Sequence, residues 1–223
     1  MDKNVLWDLS YGMYVVGSKD DRKVGCIVNT AVQITSDPMT ILVSVNHDNY
    51  TNKIISKTNK FSLSILGEKT DISLIGTFGY KSSKDIDKYE NFETFEMDDM
   101  PVLKDSCGVI ICEVIDKLET STHTAFLGKV IDMKKLNNDK PMTYKYYHEV
   151  LKGKSPEKAP TFIKEEIINE DKNDNAEKLE EKQTKTVWKC KVCGYEVEMD
   201  ELPDDFVSPI CKKDKSFFEK IEK

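Results

Sequence analysis

Three cysteines and a serine near the C-terminal end carry the densest chemistry of this 223-residue chain. Cys190-Lys191-Val192-Cys193 is a C-x2-C turn, and Ser208-Pro209-Ile210-Cys211 repeats its spacing with an oxygen in place of the first sulfur. Two such turns facing each other put four donors at the corners of a tetrahedron, the arrangement in which thiolates hold iron or zinc. Cys190, Cys193, Ser208 and Cys211 are therefore the candidate metal ligands. A hard oxygen at one corner leaves three outcomes open: iron with a lowered potential, zinc, or an empty knuckle. Trp188, Tyr195, Phe206, Phe217 and Phe218 stand at spacings that would wrap a small core around the metal.

A second set of polar groups lies far upstream. Asn29, Thr30, Gln33 and Thr35 interrupt a stretch that would otherwise read as Val and Ile, and on a strand alternate side chains share one face. That face could meet the polar rim of a flat ligand or simply meet water. A strand ending at Asn46, followed by a helix starting near Thr51, offers backbone N–H groups and the positive end of a helix dipole to an anion. Asn46, Asn49, Tyr50 and Thr51 would surround that anion, with Thr51 placed to donate its hydroxyl. The segment Lys81 to Tyr89, which includes Ser82 and Lys88, adds cations and hydroxyls or forms a solvated polar loop. His123 opens a strand leading to Gly128, while His47 reads as a loop residue and His148 as packing within a Tyr-rich segment.

The elements that must position these groups follow from periodicity. Residues 13–16, 25–28, 32–35, 40–46, 61–66, 107–115 and 125–133 are β-branched or aromatic runs separated by Gly, Asn, Asp and Pro. They predict a mainly β chain that closes into a barrel. Residues 51–57 and 71–78 have helical spacing, with Thr51 and Asp71 as expected N-caps. The run from Lys164 to Thr186 is nearly all charged or amide and cannot bury enough apolar surface to order itself, so it predicts a flexible linker or a solvated helix. The expected division is residues 1–163, a linker at 164–186, and a small domain at 187–223.

Composition narrows the class. A hydrophobic fraction of 39% suffices for a packed core, and a net charge of −7 disfavours binding to nucleic acid. No apolar run reaches the length of a membrane span and the first residues lack a signal-peptide pattern, which predicts a cytoplasmic protein without membrane contact. Cys26, Cys107 and Cys112 lie in apolar alternating stretches, as buried reduced thiols would. There is no G-x-G-x-x-G stretch for a dinucleotide and no hydrolase elbow.

The C-terminal segment resembles a rubredoxin, whose second knuckle is Cys-Pro-x-Cys-Gly where this chain has Ser208-Pro209-Ile210-Cys211-Lys212. Residues 29–38, 45–51, 79–89, 122–130 and 141–150 resemble the flavin-reductase-like family, and the two parts together resemble rubredoxin-fused flavoproteins. The resemblance implies a split β-barrel homodimer holding FMN, with Lys88 pairing the phosphate and Phe162 closing over the ring. His123 would position the flavin or the nicotinamide of NADH or NADPH. It also implies electron flow from FMN to an iron knuckle and on to a protein acceptor, such as a flavodiiron protein that reduces oxygen or nitric oxide. Two alternatives differ in outcome: a flavin-binding sensor or storage protein with a structural zinc knuckle, and a reductase that releases free reduced flavin.

Overall fold

The computed structural model describes residues 3–153 and 186–222. Phe162 and the charged run from Lys164 lie outside the described residues, except Thr186, which opens a strand. The first part runs β1 (Tyr14–Lys19), β2 (Lys23–Val28), β3 (Ala31–Ser36), β4 (Met39–Asn46), α1 (Tyr50–Thr58), β5 (Lys60–Ile65), α2 (Ile72–Tyr80), β6 (Thr94–Met97), β7 (Met100–Leu103), β8 (Gly108–Glu119), β9 (His123–Lys135) and α3 (Tyr144–Glu149). β10 (Thr186–Cys190), β11 (Glu196–Glu198) and β12 (Phe218–Glu222) form a separate three-stranded sheet in the order β11-β10-β12.

The seven expected strand runs all form and join one antiparallel sheet, ordered β2-β1-β5-β8-β9-β4-β3. β8 and β9 make its long central hairpin, and register shifts at Ile111/Cys112 and Val114/Asp116 add twist there. The sheet rolls: Cys26 and Val28 of β2 share one buried cluster with Ile41, Val43 and Val45 of β4. A seam therefore runs between β2 and β4, strands from opposite ends of the sheet order. α2 covers one side with Leu74, Ile75 and Phe78, packed with Met13, Val15, Met142, Tyr144 and Tyr147.

Helix starts obey local chemistry. Asp71 caps α2 as expected, accepting the Ser73 N–H at 2.8 Å. α1 is capped by Asn49, whose Oδ1 accepts the Thr51 N–H at 3.0 Å, so Thr51 is inside the helix and is not its cap. Two further elements lack strong sequence signals. The β6–β7 hairpin turns through Asp98 and Asp99, both at positive φ (48° and 63°), where Asn-Gly would be the usual cue. α3 is a single short stretch capped by Thr143. Among the described residues, no helix is long and apolar enough to cross a membrane.

Candidate flavin cavity and metal knuckle

A cavity of about 470 Å³ opens at the β2–β4 seam. The end of β2 contributes Ile27, Val28 and Asn29, the end of β4 contributes Val45 and Asn46, and the turn into α1 contributes Asp48, Asn49 and Tyr50. Tyr80, Lys81 and Ser82 follow from the end of α2, and His123 stands opposite Asn46 in the β4–β9 register. The first turn of α1 is held against this mouth by Asn52, whose amide donates to the Val45 carbonyl at 2.9 Å and to Thr124 Oγ1 at 3.0 Å. Thr124 in turn donates to Glu119 at 2.8 Å, and Glu119 meets His47 at 3.1 Å. Apolar and aromatic walls with an amide, hydroxyl and imidazole rim suit a flat tricyclic flavin, and the α1 N-terminus with Lys81 and Ser82 suits an anionic tail.

Of the expected site residues, the structure brings Asn29, Asn46, Asn49, Tyr50, Lys81, Ser82 and His123 to the cavity. Five stand elsewhere. Lys88 is 2% exposed, and its Nζ donates to the Gly25 and Phe78 carbonyls at 2.9 and 3.0 Å, so it is sealed behind the wall with no free face for a phosphate. Burial lowers its pKa to about 8. Thr51 is fully buried in α1, against the Cys26 thiol, and its hydroxyl makes no well-formed hydrogen bond. Thr30 donates to Asn29 Oδ1 at 3.1 Å, which supports a lining residue without being one. Gln33 and Thr35 are exposed on the edge strand β3 and bond within their own turn, Gln33 to the Thr35 carbonyl and Thr35 to Thr40 Oγ1.

Sequence reasoning missed Tyr80, Tyr144 and Tyr147 as lining residues. The available signal is that each falls within a segment, 79–89 or 141–150, that carries the family resemblance. His123 Nδ1 lies 2.8 Å from Thr122 Oγ1, and burial, followed by the proximity of His47, lowers its pKa from the ordinary value. A neutral imidazole can orient a ligand without supplying a proton at pH 7. His148 packs edge-on against Tyr144 and bonds the Gly153 carbonyl at 2.6 Å, as a structural residue would.

The knuckle donors converge in the small domain. The sulfurs of Cys190, Cys193 and Cys211 lie within 4.8 Å of one another, all buried. Cys190 and Cys211 are 3.6 Å apart, close to the edge of about 3.8 Å that a tetrahedron with 2.3 Å metal–sulfur bonds requires. Ser208 Oγ is fully buried and 3.3 Å from Cys193 Sγ, which fits a mixed sulfur–oxygen edge. The two turns match in their backbones. Gly194 N–H donates to the Cys190 carbonyl at 2.8 Å and Lys212 N–H to the Ser208 carbonyl at 3.0 Å. Gly194 and Lys212 both take positive φ, 72° and 59°, so Lys212 accepts a conformation that glycine adopts more cheaply. Ser208 thus occupies the position that mirrors Cys190. Burial pushes the Cys193 thiol up, whereas at Cys211 burial is offset by hydrogen bonds from Ser208, the backbone at Lys213, Cys193 and Cys190, which together hold it below its ordinary value.

Both halves match known families. Residues 7–153 match the model of the flavin reductase like domain, and residues 188–219 match that of the rubrerythrin, rubredoxin-like domain. Over 99% of this chain and 100% of the relative, the sequence is 35% identical to the high molecular weight rubredoxin of Moorella thermoacetica. The chain belongs to the high molecular weight rubredoxins. It joins a flavin reductase like domain to a rubredoxin-like knuckle, and it is an oxidoreductase of the electron-transfer kind. It is also 33% identical to a ferric-chelate reductase (NAD(P)H) of Archaeoglobus fulgidus, over 73% of this chain and 98% of that one. Among solved structures, flavin reductase PheA2 shares the barrel with a TM-score of 0.56 and 24% identity, covering 64% of this chain and 93% of that one.

Proposed function

We propose that this high molecular weight rubredoxin takes hydride from NADH or NADPH at an FMN in the β2–β4 seam. Electrons then pass to iron in its own knuckle and on to a protein acceptor, with a flavodiiron protein as the best chemical match. FMN supplies, when bound, the conversion of a two-electron hydride donor into single electrons. The overall balance is NAD(P)H + 2 Fe(III) → NAD(P)⁺ + H⁺ + 2 Fe(II). The observation that carries the reading is a flavin-sized cavity and a three-thiol cluster in one chain, with Val192 of the knuckle itself among the cavity's lining residues. Asn46, Asn49 and Ser82 would hold the flavin's polar edges, Lys81 and the α1 N-terminus its phosphate, and His123 the ring or the nicotinamide. Cys190, Cys193, Cys211 and Ser208 would hold the metal.

The exposed Val32, Ile34 and Met39 on β3, its turn and the start of β4 continue into exposed Ile115, Leu118, Ile131 and Met133 on the β8–β9 hairpin. An apolar face of this kind supports a homodimer built on that side, in a reducing cytoplasm where the buried thiols stay free. A second reading has one specific support: the Ser208 oxygen suits zinc, which would make the knuckle structural and the chain a flavin reductase. Anaerobic stopped-flow mixing of the iron-loaded flavoprotein with NADH or NADPH separates them. The first reading expects flavin bleaching followed by loss of ferric absorbance; bleaching without that second phase, or zinc as the metal in protein as purified, would favour the second.

A further inference from the structure

α2 carries a glycine at its centre, Gly76, where alanine would favour the helix by about 1 kcal/mol. Its reason lies in the other domain: a Cβ at position 76 would overlap the carbonyl oxygen of Ile210, the residue preceding Cys211 in the second turn. Because the obstacle is backbone, no rotamer change relieves it. Ile72 and Tyr80, one turn to either side on the same face, pack against the knuckle core formed by Cys190, Cys193, Leu202, Ile210, Cys211 and Phe218. From the first turn Val192, between Cys190 and Cys193, reaches the cavity, where Tyr80 and Tyr147 also stand with their hydroxyls 3.4 Å apart.

We infer that the Ile72–Gly76–Tyr80 face of α2 is the landing platform for the metal knuckle, and that the landed knuckle closes one wall of the flavin cavity with Val192. Electron exit and closure of the cavity are then one event. This deepens the function proposed above: each of two landings carries one electron from reduced flavin to ferric iron, and the hydride's proton leaves to solvent. Gly76 is a positioning residue, because it acts through the approach of the Ile210 backbone.

Gly76→Ala tests it, since alanine strengthens the helix while denying the approach, and Ile72→Lys at the edge of the platform is the second variant. In the loaded protein, flavin bleaching by NADH should keep its rate, arrival of electrons at iron should slow at least tenfold, and reoxidation of the flavin by added ferricyanide should quicken several-fold. In flavin-free, zinc-loaded full-length chain, small-angle scattering should show a larger radius of gyration for both variants, and amide exchange at residues 207–213 should rise. Unchanged scattering and unchanged internal transfer in both variants would overturn the platform. If wild-type flavin is not bleached by NADH or NADPH, the proposed function fails while the scattering and exchange measurements still decide the docking.

Discussion

The first and last sulfurs of the knuckle, Cys190 and Cys211, are 21 positions apart in sequence, whereas the cavity gathers its lining from segments as distant as Met13 and Tyr147. The knuckle's geometry is written into two short turns with matching hydrogen bonds, so its donors meet whenever the turns form. The cavity exists only because the whole sheet rolls and brings β2 against β4. A site built from local turns depends on its metal, and a site built from distant strands depends on its scaffold.

Withdrawing the metal is expected to break the comparison most strongly. Structural metal contributes on the order of 10 kcal/mol or more to small knuckle domains. A strong chelator should therefore unfold residues 186–222, read as loss of the near-ultraviolet signal of Trp188, while the barrel keeps its melting transition. Ser208→Cys should resist the same chelator longer and hold iron at a higher potential; equal iron retention and equal potentials in the two forms would remove position 208 from the coordination sphere.

The cavity responds to a change at its rim. A displacement of the reacting rings by about 1 Å can cost roughly 10²-fold in rate, so His123→Ala is expected to slow flavin bleaching by NADH or NADPH toward that extent with flavin content retained. A wild-type rate in stopped flow would take His123 off the rim's list of working residues.

The effect confined to one pH window lies behind the wall. Lys88 has a pKa lowered to about 8 by burial, against about 10.4 in an unfolded chain. Between those values the unfolded chain binds more protons than the native one, so stability rises as pH increases through that window. The gain is on the order of 3 kcal/mol at about 1.4 kcal/mol per pKa unit. Denaturant titrations of the barrel should show that slope, and Lys88→Met should flatten it; a slope that survives the substitution would reassign it to another group.

The sequence exposes repeating or local features and hides three-dimensional ones. Alternation marks all seven sheet strands, and Asp71 marks the start of α2. The turn at Asp98–Asp99 escapes notice because aspartate enters the left-handed region less readily than glycine and is a weaker cue. Lys88 and Thr51 show why the site is only half legible. A lysine in a polar segment and a threonine at a helix start both read as solvent-facing, and both turn inward once Gly25, Cys26 and Phe78 close over them. Gln33 and Thr35 alternate as a ligand-facing strand would, but β3 is the outermost strand and spends that pattern on its own turn and on solvent, while Thr30 precedes β3 and bonds Asn29. The tyrosines of α2 and α3 fall within segments that carry the family resemblance, 79–89 and 141–150, but their spacing does not mark them as lining residues.

The β2–β4 seam also dictates when each part can form. β2 pairs with β1 across a tight connection, but its meeting with β4 comes only after β5, β8 and β9 have been laid between them in the sheet order. β2 and β4 are near each other in sequence, but the pairings that hold the sheet between them, such as Lys60 with Glu113 and Thr40 with Lys129, join distant segments, and these are the late and slow steps of folding. A ligand that fits the seam therefore finds its site after the transition state has passed. Its binding energy should appear as slower unfolding of the barrel, with the folding rate left as it was.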